Sequence, residues 1–96
     1  MTTDQFEGLP GAELIHQGIA DLRGGVESVP ALLVAVGAPR LQDALGDLHL
    51  GQTPPHPELR LYRLLCAQHV AEAYSQYNAL LRRLTSFCRA LELRAR

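Results

Sequence analysis

The chain has no tryptophan and only three tyrosines and two phenylalanines in its 96 residues, so aromatic rings can supply little of its buried surface. Burial must come from Leu, Val, Ile and Ala, a composition that favours helices over strands. Lysine is absent and every basic residue is arginine, which we read as a coding bias without functional weight. The two cysteines, Cys66 and Cys88, lack the close spacing of a zinc knuckle or a redox pair. In a reducing compartment both are core thiols. The longest uncharged apolar run, residues 29–38, is half a membrane span and reads as a buried core segment. The first seven residues are acidic and carry neither the positive start nor the apolar stretch of a secretory signal, so a cytoplasmic protein without a membrane anchor is expected. A glycine-rich phosphate loop, a GxSxG turn, an HExxH pair and a paired-carboxylate motif are all missing. The expectation is therefore a non-enzymatic chain with no cofactor and no metal.

What is present suits one small helical domain. Hydrophobic residues make up 47% of the chain against 20% charged, which is enough apolar material to fold. The net charge of −1 conceals an asymmetry. Residues 1–48 hold seven acids and two arginines, whereas residues 49–96 hold seven arginines and three acids. Such halves are complementary and are expected to dock on each other.

Short helices are predicted within residues 10–45. Pro10 suits a first helical turn and Gly24-Gly25 closes that segment, with Ile15, Ile19 and Leu22 at helical spacing. Ser28 is placed to cap a second helix that starts near Val29 and Pro30 and stops at Gly37. That helix has no polar face, so it belongs in the core. A third runs from Pro39 to Leu45, with Gly46 as its stop. Residues 46–56, with Thr53-Pro54-Pro55, read as a loop over the surface.

From residue 57 onward there is no glycine and no proline beyond Pro57 itself. Leu59, Tyr62, Cys66, His69, Ala73, Tyr77, Leu80, Leu84, Phe87 and Leu91 recur at a mean spacing of about 3.6 residues. The spacing predicts one long helix over residues 57–94. The alternative is a hairpin that breaks near His69-Val70-Ala71, where the stripe weakens. One helix of that length would span about 54 Å, too long for its partners within a domain of this size. Leu80, Leu84, Phe87 and Leu91 would then be left to pair with a second copy, which makes a homodimer the expected assembly.

Other groupings carry chemistry of their own. Arg82 and Arg89, with Ser86 between them on one helical face and Arg83 beside it, form a basic patch suited to phosphates or an acidic protein. A nucleic-acid-associated regulator is accordingly one alternative function. A small toxin-like ribonuclease centred on Arg63 and His69, which would orient and protonate a phosphodiester, is another. Tyr62, Tyr74 and Tyr77 are candidates to line a ligand pocket, against the plainer reading of half-buried rings with wet hydroxyls. Cys66, His69 and Glu72 offer three ligand types, but residues 66 and 72 diverge by about 120° round a helix and suit one ion poorly. The leading expectation is a helical protein-interaction or self-association module.

Overall fold

The computed structural model describes residues 8–46, 48–50, 52–68 and 71–94, and they form the small all-α bundle that the composition implies. Five helices follow one another: α1 (Ala12–Arg23), α2 (Val29–Val36), α3 (Ala38–Leu45), α4 (Pro57–Gln68) and α5 (Ala73–Arg94). Among the described residues no helix is long and apolar enough to cross a membrane.

The short helix α2 is the hub. Its sequence has no polar face, and Ala31, Leu32, Leu33, Val34 and Ala35 are all buried, in contact with α1, α4, α5 and α3. Ser28 starts it as expected, its hydroxyl oxygen accepting from the Ala31 N–H at 3.2 Å and donating to Asp21 Oδ2 at 2.6 Å. Asp21 also accepts from Gln17 Nε2 at 2.9 Å, so a polar chain on the surface joins the end of α1 to the start of α2. Beneath it the two helices cross at Gly18. A Cβ there would overlap the Pro30 carbonyl oxygen and the Val34 side chain, which no relaxed structure permits.

Two of the sequence expectations need correction. The long C-terminal helix exists, but it starts at Ala73 instead of Pro57, and the chain turns at Ala71 and Glu72. The break therefore falls where the hairpin alternative put it. Its cause is tertiary. Leu61 and Leu65 on α4, and Leu84, Phe87 and Leu91 on α5, are buried in the single core that surrounds α2. A straight rod of about 54 Å could not bring both sets to one eight-residue helix, and the molecule is 40 Å in its longest dimension. Burial of that many large side chains outweighs the local preference to continue a helix.

The loop over residues 46–56 is the second correction. Its composition predicts a connection over the surface, yet Leu48 and Leu50 are buried in the core, with exposed His49 between them. Alternation of this kind is what an extended segment makes when one side faces apolar neighbours. The carbonyl of His49 accepts from Arg23 Nε at 2.9 Å, which fastens the segment to the end of α1.

The halves dock, with ion pairs at both ends of the contact. Arg60 on α4 donates to Glu27 at 2.8 Å and to the Pro55 carbonyl at 3.0 Å, in the sense the charge asymmetry implies. Arg40 on α3 and Glu92 on α5 pair in the opposite sense, through two bonds of 2.7 and 2.9 Å. The guanidinium is held above its ordinary range chiefly by that hydrogen bond. Glu92 and Arg96 also stand at the i, i+4 spacing of a helical ion pair, and Arg96 lies outside the described residues.

Candidate functional site

The expected dimer edge is not a surface. Leu84, Phe87 and Leu91 are 6%, 0% and 3% exposed within the single chain, and Leu80 is half-buried against the same core. The reason is the turn between α4 and α5, which folds the stripe inward so that α4, α3 and α2 cover what a second subunit is expected to cover. Cys88 joins that interior, and burial pushes its thiol above the ordinary value. It is a packing residue.

A different face is left open. Folding α4 back along α5 brings together all three tyrosines of the chain. The rings of Tyr62 and Tyr77 meet edge to face with centroids 5.6 Å apart. Tyr74, one turn earlier on α5, is 69% exposed. The Cys66 thiol, half-buried one turn along α4, shares a hydrogen bond with the Tyr62 phenol, and this is the main reason that phenol sits above its ordinary pKa. The negative charge that Cys66 and Tyr74 would acquire on ionising acts in the same direction. Leu59 precedes Tyr62 on the same side of α4 and is 49% exposed. The result is a ridge of aromatic and aliphatic surface on the outside of the hairpin.

This ridge was half-visible in the sequence. The sequence offers the tyrosines both as a pocket lining and, on the plainer reading, as half-buried rings on a bundle surface; Tyr62 and Tyr77 are half-buried and Tyr74 is exposed. Leu59, like Tyr62 and Tyr77, belongs to the apolar stripe by spacing, yet it is 49% exposed.

Arg82, Arg83 and Arg89 are exposed on α5, as their spacing implies. Arg82 and Arg83 line a shallow groove of about 340 Å³ with Ser86, Ala79 and the Pro10-Gly11 turn that leads into α1. The turn's part in this groove had no local sequence signal, because the contact joins positions some 70 residues apart. Arg63 is exposed on α4, while His69, its proposed partner in a ribonuclease, lies outside the described residues. Among the described residues no three His, Cys, Asp or Glu side chains come together as a metal-ligand set. A second open cleft of about 440 Å³ lies between Leu22, Val26 and Glu27 on one side and Gln52, Thr53, Pro54 and Pro55 on the other.

Comparison with protein-family models, with curated proteins and with solved structures returns no match for this chain.

Proposed function

We propose that the chain is a non-enzymatic helical interaction module, and that its contact face is the tyrosine ridge of α4 and α5, which pairs with the same ridge of a second copy. The observation that carries this reading is the exposure of Tyr74 beside the Tyr62–Tyr77 pair and Leu59. Tyrosine is enriched at protein contacts because it offers a large, stiff apolar ring together with a hydroxyl that hydrogen-bonds in either direction. A small domain with few aromatics that places every tyrosine on one outer ridge supports recognition there. Pairing of like ridges about a twofold axis lets one patch serve both partners. We place the module in the cytoplasm, where its two free thiols stay reduced.

Sedimentation velocity over roughly 1–100 µM, the range in which modest interfaces titrate, tests the pairing. The wild-type chain is expected to move from monomer to dimer with concentration. Tyr74→Arg and Leu59→Arg are expected to hold it monomeric with an unchanged far-ultraviolet circular dichroism spectrum. A wild-type chain that stays monomeric throughout, or a dimer indifferent to both substitutions, removes the reading.

A further inference from the structure

We infer that the groove between the Pro10-Gly11 turn and the middle of α5 is a binding site for a phosphate group, carried by a small phosphomonoester or present as the free ion. None of its lining residues belongs to the tyrosine ridge, so it stands independently of the pairing proposed above. Arg82, Arg83 and Ser86 are among the residues that line this concavity, and no carboxylate is among them. Arg40 and Arg60 each hold a glutamate. Among the described residues Arg82 and Arg83 have no such partner. Two adjacent cations repel, and an anion seated between them reverses the sign of that interaction.

The donor set favours phosphate over a carboxylate. A guanidinium presents a planar fork of N–H donors that matches two phosphate oxygens, and the Ser86 hydroxyl can serve a third. A phosphomonoester carries between one and a half and two negative charges near neutral pH, roughly matching the arginine pair. The walls are small and apolar, formed by Pro10 and Ala79. Gly11 makes the turn with a φ of 77°, which favours glycine, and its Cα side faces the Arg83 carbonyl oxygen at ordinary contact distance. Since Arg89 is not part of the groove lining, a groove site separates from a general basic face.

The test is a titration of the ¹⁵N-labelled chain followed by amide shifts, with sodium phosphate, O-phosphoserine and, at matched ionic strength, sodium chloride. Saturable shifts at Gly11, Arg82, Arg83 and Ser86 are expected with the phosphates and absent with chloride. Phosphoserine binding at least as tightly as phosphate identifies a phosphomonoester; phosphate binding with phosphoserine excluded identifies the free ion. Arg82→Gln combined with Arg83→Gln is expected to weaken binding roughly tenfold or more, while Arg89→Gln leaves it unchanged. All three positions are exposed, and circular dichroism of each variant reports the fold. Shifts equal to those with chloride, or phosphate binding unaltered in the double variant, overturn the site. So does salt-sensitive binding of a single-stranded oligonucleotide that Arg89→Gln weakens as much as a change at either groove arginine, since this would make the whole face a nucleic-acid surface.

Discussion

Gly18 decides how closely α1 approaches α2, because the Pro30 carbonyl occupies the space a side chain would need. Gly18→Ala is expected to lower stability by about 1–3 kcal/mol, the cost of overfilling a packed interior. Gly24→Ala, where a Cβ meets its nearest neighbour at an ordinary 3.5 Å, should be close to neutral, and urea unfolding of both variants separates the two cases. Ser28→Ala removes the α2 cap and its bond to Asp21, for an expected loss of about 1 kcal/mol in the same measurement. Cys88 predicts an alkaline effect. Burial keeps its thiol protonated in the fold, so above the ordinary value of 9.0 the unfolded chain loses a proton that the folded chain retains. The folded state then binds more protons than the unfolded one, and stability falls as pH rises from that value through the raised one; below it the contribution is constant. Thermal melts between pH 7 and 10 should show a shallower decline for Cys88→Ala than for wild type.

At the scale of elements, the first three helices were legible because their ends carry chemistry. Ser28, Gly37 and Gly46 are stops and caps that act within a few residues, and α2 and α3 begin and end within a residue or so of where they place them. The turn between α4 and α5 has no such residue. Ala71 and Glu72 are good helix formers, and only the demand of α2 for neighbours on two sides separates the segments there. The same blindness misplaced Leu84, Phe87 and Leu91. Periodicity shows that a stripe seeks cover but not what covers it. Tyr74 and the arginines of α5 fared better, since they lie off the apolar stripe and their exposure follows from helical spacing. Docking of α3 on α5 is held at its rim by Arg40 and Glu92, both partly exposed. In a double-mutant cycle with Arg40→Gln and Glu92→Gln, the coupling between the two residues is expected to shrink as salt is raised, as for any solvent-screened pair.

For the whole molecule, burial within one chain changes what substitutions in the C-terminal helix mean. Phe87→Ala is expected to cost about 3–5 kcal/mol, a large part of the roughly 5–15 kcal/mol available to a domain of this kind. Phe87→Asp and Leu84→Asp should therefore unfold the chain, seen as loss of helical circular dichroism, where an interface residue would only dissociate it. Tyr74→Arg and Leu59→Arg should do the reverse.

The hub position of α2 also bears on how the chain could be divided. A nick placed at the exposed Thr53 would leave one piece holding α2 without the side chains of α4 and α5 that wrap it, and another holding those side chains with nothing to wrap. The first keeps the packing of α1 on α2, but neither fragment owns a complete interior. Mixed in equal amounts they are expected to recover helicity that each lacks by itself, and the affinity with which they reassociate would measure directly how much of the fold is stored across the cut.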